Sequence, residues 1–150
     1  IEILLEGSDR DNWVSGDAGQ LQQAVISLCN NARDAMESLD AERRRPILSL
    51  AVREVHARNP HQGGADRLPH VRITVADNGI GMDEDVKGRL FEPFHTTKAP
   101  DEHAGMGLAT ALAIVKEHAG WIECESRPDV GTSFHIFIPA AESREAQARV

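Results

Sequence analysis

The chain is predicted to be an α+β domain, a two-layer α/β sandwich with about three helices on one face of a mixed, mostly antiparallel sheet. Some short runs alternate apolar with polar residues, as strands do, and others repeat apolar residues at helical spacing. The elements follow the order β-α-β-β-α-α-β-β, which lacks the regular alternation of parallel βαβ units. A length of 150 residues, 41% of them hydrophobic, is enough for one domain with its own core.

The predicted elements account for most of the chain. The first strand covers residues 1–5, and the first helix begins at Asp17, where Gln20 three residues later resembles a capping box, and extends to about Leu39. The other predicted elements are strands at 47–55, 71–75, 121–126 and 132–138 and helices at 83–90 and 108–118. The sequence predicts turns or loops at residues 8–13, 43–45 and 56–69, and an end of the last helix at Gly120. Together the elements form one predicted domain at 1–139, which is followed by a tail at 140–150.

Composition excludes several classes of partner. The net charge of -8 argues against nucleic acid or an anionic membrane as the main partner. Cys29 and Cys124 are the only cysteines, and they are predicted to be buried free thiols of a reducing compartment. No run approaches the roughly 18 apolar residues of a membrane span. Since the chain starts inside a predicted strand and without Met, we interpret it as part of a longer protein.

An acidic residue followed by two glycines marks the first candidate site. Asp77 ends a predicted strand, and Gly79 and Gly81 follow it with one residue between them. A carboxylate accepts hydrogen bonds and donates none, so it would suit an exocyclic amine such as that of adenine. Glycine lets other groups come close to the backbone. The alternative interpretation is simply a strand followed by a tight turn.

The first long helix has an unusual polar stripe. Ser27, Asn31 and Asp34 are spaced by four and three residues and therefore share a face. Asparagine is a poor residue for a helix interior, and this stripe lacks the Lys and Glu that usually cover a solvated face. An amide oxygen is a suitable ligand for Mg²⁺, so Asn31 is a candidate metal ligand, with an ordinary solvated face as the alternative.

A second glycine pair precedes the last helix. The backbone amides at Gly105 and Gly107 would lie at a helix N-terminus, where the helix dipole favours phosphate. Lys98 could add a positive charge nearby. The segment matches neither a Walker loop nor a dinucleotide-binding fingerprint, and by itself it is a weak signal.

Four of these segments, in this order, resemble the N box, first glycine box, F box and second glycine box of the ATP-binding catalytic domain of bacterial sensor histidine kinases. They are residues 30–36, 77–82, 91–98 and 105–108, and residues 131–134 also fit the pattern. The resemblance covers about residues 1–139. It implies the Bergerat ATP-binding fold of the GHKL superfamily, which also contains gyrase, mismatch-repair and chaperone ATPases, with ATP and Mg²⁺ as cofactors.

The resemblance also implies residue roles. Asn31 would coordinate Mg²⁺, and Asn31 and Lys98 would be the catalytic residues. Asp77 would bind the adenine amino group, and residues 91–103 would form a lid over the nucleotide. The implied nucleotide-binding residues are Asn31, Asp34, Asp77, Gly79, Gly81, Met82, Phe94, Thr97, Gly105, Met106, Gly107, Leu108 and Thr132.

Two departures from the kinase pattern affect the predicted activity. His103 and Ala104 occupy the positions where these kinases usually have Gly and Thr, which puts catalytic strength in question. Ser27 stands where kinases often carry Asn and the superfamily's ATPases carry a Glu that activates water. Since serine has no useful basicity near pH 7, the sequence favours a kinase over an ATPase of the same fold. A degenerate nucleotide-binding regulatory module is the other alternative.

The predicted reaction is transfer of the γ-phosphoryl group of ATP to a histidine on a separate, upstream dimerisation domain. His95 and His118 are interpreted as structural or solvent-exposed residues, and the phosphoacceptor is expected outside this chain. The resemblance implies two-component signalling with a response regulator as the indirect partner. It also implies a cytoplasmic domain, monomeric by itself, in a homodimeric parent protein, and it leaves open whether that parent is anchored in a membrane.

Overall fold

The computed structural model describes residues 1–8, 10–40, 42–64, 66–90 and 106–141, with Met106 described by its backbone alone. The strands and helices are β1 (Glu2–Glu6), β2 (Trp13–Val14), α1 (Ala18–Met36), β3 (Ile47–Ala57), β4 (Leu68–Asp77), α2 (Glu84–Gly88), α3 (Met106–Glu117), β5 (Trp121–Arg127) and β6 (Gly131–Ala141). The predicted order is confirmed except for β2, which lies at the end of a segment predicted to be a turn. None of the described helices combines the length and the apolar character that a membrane crossing requires.

The sheet is mixed and mostly antiparallel, as predicted. Its strands are ordered β1-β3-β4-β6, β5 also pairs with β6, and β2 pairs with the last two residues of β6. Only the β1–β3 pair is parallel among these strands. The register of β4 and β6 places Asp77 directly opposite Thr132. Two residues that are 55 positions apart in the sequence are thereby brought together at one end of the sheet.

The core lies between one face of the sheet and the two long helices. In α1 the buried side chains recur every four residues, at Ala24, Leu28, Ala32 and Met36. They meet buried residues of α3 and of the sheet in one cluster, which includes Leu108, Ala111, Val115, Val75, Ile136 and Ile138. Burial of such side chains is the main contribution to folding stability. The predicted repeat of apolar residues at helical spacing is thus confirmed for α1.

The start of α1 is confirmed as well. The Asp17 side chain accepts a hydrogen bond of 3.0 Å from the backbone N–H of Gln20, which satisfies one of the free amides of the first turn. His118, at the end of α3, reaches the same place. Its Nε2 accepts a hydrogen bond from the Asp17 N–H at 3.1 Å, while its Nδ1 lies 2.7 Å from the Ile114 carbonyl. The structural interpretation of His118 is therefore confirmed.

Three predicted boundaries need correction. Residue Ala119, not Gly120, has the left-handed backbone that ends α3, with φ of 60°. Gly120 is required for a different reason, because a Cβ there would lie 2.1 Å from the Phe137 carbonyl oxygen. The loop predicted at 56–69 is shorter, since strand pairing continues to Ala57 and Leu68. The first two residues of the predicted tail continue β6, and residues 142–150 are outside the described part of the chain.

Candidate functional site

Asp77 lies at the end of β4 with its carboxylate held by backbone amides. The Gly79 N–H donates to Asp77 Oδ1 at 2.8 Å. Burial raises the pKa of Asp77 above its ordinary value, and hydrogen bonds from the backbone of Gly79 and Thr132 act in the opposite direction. A carboxylate offers about four lone-pair sites. The Gly79 amide therefore orients the carboxylate and leaves acceptor capacity for an incoming donor.

Residues 78–81 pack tightly on the C-terminal turn of α1. The Ile80 N–H donates to the Ala35 carbonyl at 3.0 Å. A Cβ at Gly79 would lie only 2.5 Å from the same carbonyl oxygen, and one at Gly81, where φ is 68°, would lie 1.9 Å from the Arg127 carbonyl oxygen. Both glycines are therefore needed by the protein's own backbone packing, whatever ligand binds beside them.

Asn78 and Ser126 support this loop, and neither was predicted from the sequence. Asn78 Oδ1 accepts from the Ile47 N–H and its Nδ2 donates to the Arg45 carbonyl, both at 2.8 Å, which ties the loop to the start of β3. Ser126 Oγ accepts from the Met82 N–H at 2.9 Å and lies 2.8 Å from Thr132 Oγ1. These contacts join residues far apart in sequence, so no local pattern could indicate them.

The polar stripe of α1 faces the beginning of α3. Ser27, Asn31 and Asp34 are all half-buried, and the Ser27 Cβ would lie 3.9 Å from a Cβ at Gly107. Asp34 makes an ion pair of 3.4 Å with Arg33. The side chain of Asn31 has no hydrogen-bond partner within the described part of the chain. An amide that is half-buried in a helix and unpaired in this way is available to a ligand.

The two glycine segments meet α1 at different points along its length. The α3 N-terminus lies beside Ser27, and the Asp77 loop contacts Ala35, which is eight residues further on. At 1.5 Å per residue these points are separated by about 12 Å along the helix, with Asn31 midway between them. This spacing is on the scale of an extended nucleoside triphosphate. The arrangement therefore offers an acceptor at one end, a helix N-terminus at the other, and between them an amide without a partner among the described residues.

Several predicted residues cannot be placed. Four predicted nucleotide-binding or catalytic residues lie outside the described part of the chain: Phe94, Thr97, Lys98 and Gly105. The predicted lid at 91–103 lies there too, as do His103 and Ala104, which depart from the kinase pattern. For Met106 only the backbone is described. Leu108 is a buried core residue of α3, and Thr132 is 6% exposed beside Asp77. Met82 packs against the core and contributes its backbone N–H to Ser126.

Cys29 and Cys124 are free thiols, but they are half-buried and not fully buried as predicted. Burial raises the pKa of Cys124 to about 11 and also raises that of Cys29, so both remain protonated near neutral pH. Among the described residues, no group of three or more His, Cys, Asp or Glu side chains is arranged so that it could hold a metal ion. A divalent cation near Asn31 would therefore need ligands in addition to those that the described acidic residues and histidines provide.

The raised pKa of Asp77 gives a first prediction. We expect the Asp77 carboxyl to titrate with a midpoint above its ordinary value of 3.8. Since the folded pKa exceeds the unfolded one, the folded state takes up this proton first as the pH falls. The contribution of Asp77 to the free energy of unfolding should therefore decrease as the pH rises from 3.8 through the folded pKa. A carboxyl ¹³C titration by NMR measures the midpoint, and a value at or below 3.8 would contradict the prediction.

The fold and this arrangement define a nucleotide-binding domain of the Bergerat type, and comparison with known proteins agrees. Residues 16–142 match the model of the family described as histidine kinase-, DNA gyrase B- and HSP90-like ATPases. The chain therefore belongs to this family, and the resemblance found in its motifs is confirmed.

Among curated relatives, the chain is similar to sensor kinase CckA of Brucella abortus, with 38% identity over 93% of the chain and 14% of the relative. It is also 38% identical to the sensory histidine kinase/phosphatase NtrB of Rhodobacter capsulatus, over 84% of the chain and 33% of the relative. The chain thus spans a third or less of the length of these two proteins.

Solved structures give the same result. The catalytic domain of histidine kinase ThkA, in a nucleotide-free form, is 25% identical and superimposes with a TM-score of 0.69 over 92% of the chain and 78% of that domain. Full-length ShkA in complex with AMPPNP is 25% identical, with a TM-score of 0.71 over 95% of the chain and 26% of that protein.

Proposed function

We propose that this chain is the ATP-binding catalytic domain of a sensor histidine kinase, which transfers the γ-phosphoryl group of Mg²⁺-ATP to a histidine on a separate domain. The observation that carries the proposal is the placement of three groups along α1. These groups are the Asp77 carboxylate, the Asn31 amide, which has no partner among the described residues, and the N-terminus of α3 beside Ser27. Their spacing suits a base, a metal-bound phosphate chain and a terminal phosphate.

At the base end, Asp77 accepts a hydrogen bond from the exocyclic amine of adenine. The carboxylate is partly desolvated, so a charged hydrogen bond is stronger there than in water. Because the Gly79 N–H already holds the carboxylate at 2.8 Å, less orientational freedom remains to be lost on binding. A base with a carbonyl at the corresponding position would place an acceptor against an acceptor and bind less well.

At the phosphate end, the amide oxygen of Asn31 would supply one ligand to Mg²⁺. The positive charge of the metal would then offset phosphate charge during phosphoryl transfer. The described residues fit this assignment because the Asn31 amide is half-buried and unpaired. Backbone amides at the start of α3 and the side chain of Lys98 contribute positive potential to the γ-phosphate.

The residue at Ser27 separates this proposal from an ATPase of the same fold. Hydrolysis requires a base that activates water, and the Ser27 hydroxyl cannot act as one near neutral pH. An incoming imidazole needs no such base, since the nitrogen lone pair attacks the γ-phosphorus directly and ADP leaves.

The remaining parts of the proposal concern the longer protein. The phosphoacceptor histidine lies on a dimerisation domain outside this chain, and a response regulator receives the phosphoryl group in turn. The parent protein acts as a homodimer, and this domain works in the cytoplasm with magnesium. Support comes from the names of the similar proteins, which are sensor and histidine kinases of much greater length.

The proposal is tested with the full-length protein and ATP labelled in the γ-phosphate. We expect acid-labile, base-stable label on a histidine outside residues 1–150 and little steady release of free phosphate. A second reaction mixes this chain with a full-length variant whose own catalytic domain is inactivated. Labelling of the full-length variant would show that the chain supplies the kinase activity in trans. Steady hydrolysis of ATP without protein labelling would instead favour an ATPase.

A further inference from the structure

Arg44 does not behave as part of a solvated turn, although residues 43–45 were predicted to form one. The side chains of Arg43 and Arg45 are 88% and 78% exposed and pair with Asp40 and Glu2. Arg44 is half-buried instead, and its guanidinium group points back into the domain. Three successive arginines thus have different surroundings, and Arg44 alone is directed to the candidate site.

The guanidinium group of Arg44 joins two separate segments. Its Nη2 donates to the Gly79 carbonyl at 3.3 Å, and its Nη1 donates to the Asp129 carbonyl. Gly79 is the residue whose N–H holds the Asp77 carboxylate. Asp129 lies in the turn of the β5–β6 hairpin, three residues before Thr132. Arg44 therefore connects the two pieces of backbone that fix the orientation of Asp77.

A second link runs between the same segments. The Asp129 N–H donates to the Ile80 carbonyl at 2.7 Å. Asp129 has a φ of 62°, a left-handed conformation that is unfavourable for most residues with a side chain. Its amide is held by Ile80 and its carbonyl by Arg44, so hydrogen bonds on both sides stabilise this conformation. Without Arg44, the carbonyls of Gly79 and Asp129 both lose their donor.

We propose that Arg44 is a positioning residue for base recognition, which holds the Gly79 loop and the β5–β6 turn together so that Asp77 keeps its orientation. The inference rests on the proposed function, because it assigns Arg44 to the base end of that same site. The planar guanidinium has donors in a fixed fork and can serve two carbonyls at once. The ammonium group of a lysine lacks this fork and replaces it only in part.

The test compares ATP with inosine triphosphate, which carries a carbonyl where adenine carries its amine. Calorimetry on the 150-residue chain gives the ratio of the two affinities. Arg44→Ala should reduce this ratio by roughly 5- to 10-fold, Arg44→Lys by less, and Arg43→Ala not at all. Replacing a residue that only stabilised the fold would lower the affinity for both nucleotides by the same factor and leave the ratio of the affinities unchanged.

Hydrogen exchange provides a readout that needs no nucleotide. The Asp129 amide should exchange faster in both Arg44 variants than in the parent chain and in Arg43→Ala. Suppose that the unsubstituted 150-residue chain prefers ATP. If the Arg44 variants then keep both this preference and the slow exchange of the Asp129 amide, the positioning role is wrong. If instead the parent chain shows no preference for ATP and Asp77→Asn changes nothing, it is the proposed function that fails. Should Arg44→Ala not fold, Arg44→Lys decides the question.

Discussion

Replacing Asp77 with alanine is expected to lower the affinity for ATP by about 1.5–3 kcal/mol, the range for a hydrogen bond to a charged group. The Gly79 N–H orients the carboxylate, and alanine removes the acceptor altogether. Calorimetric titration with ATP measures the loss directly. Affinity for inosine triphosphate should not fall, because that nucleotide has no amine to donate and its carbonyl no longer faces a carboxylate.

An exposed aspartate provides the control for Asp77. Asp40 follows α1, and its side chain is 57% exposed and paired with Arg43. Asp40→Ala removes the same charge without touching the candidate site, and it should leave both affinities unchanged. If Asp77→Ala binds ATP as tightly as the parent chain, Asp77 does not recognise adenine.

The parts of the fold that follow from short-range patterns were predictable from the sequence. The spacing of Leu28, Ala32 and Met36 in α1 shows its buried face, and Asp17 marks its start. The same periodicity placed Asn31 on a polar stripe. These features depend on residues within a few positions of one another, where helix geometry fixes the outcome.

Predictions failed where a contact joins distant residues. The two-residue strand β2 exists only because it pairs with Ala140 and Ala141. Asn78 and Arg44 bind backbone groups that the fold brings to them, and nothing in their own neighbourhood in the sequence indicates this. A run of three arginines looks the same whether one of them is bound to the domain or all are solvated.

Gly79 and Gly81 show that glycines predicted for ligand access can be required for another reason. Gly79 and Gly81 were singled out because they would let a base approach the backbone. In the structure, Ala35 and Arg127 already occupy the space that a Cβ would need. The requirement for glycine is thus satisfied by the apo fold alone. A glycine motif can therefore remain intact for packing reasons, and it is the Asp77 carboxylate and the Asn31 amide that are informative about a ligand.

Replacing Asn31 with alanine is expected to have the larger effect on catalysis. We expect ATP binding to lose its dependence on Mg²⁺, and labelling of the phosphoacceptor by the full-length protein to fall by at least about 100-fold, as when one preorganised group that stabilises transition-state charge is removed. The fold should remain, since alanine is the better helix former at this half-buried position of α1. Calorimetry with and without Mg²⁺, and the rate of label transfer, measure the two effects.

The neighbouring residue Asn30 is a matched control for Asn31. It is the same residue type in the same helix, but it is exposed. Asn30→Ala should gain the same helix propensity and keep both the Mg²⁺ dependence and the transfer rate. If Asn31→Ala keeps them as well, then its unpaired amide does not bind the metal, and its place in α1 has a packing explanation. If both variants lose them, the polar surface of α1 acts as a whole and the assignment to Asn31 alone is wrong.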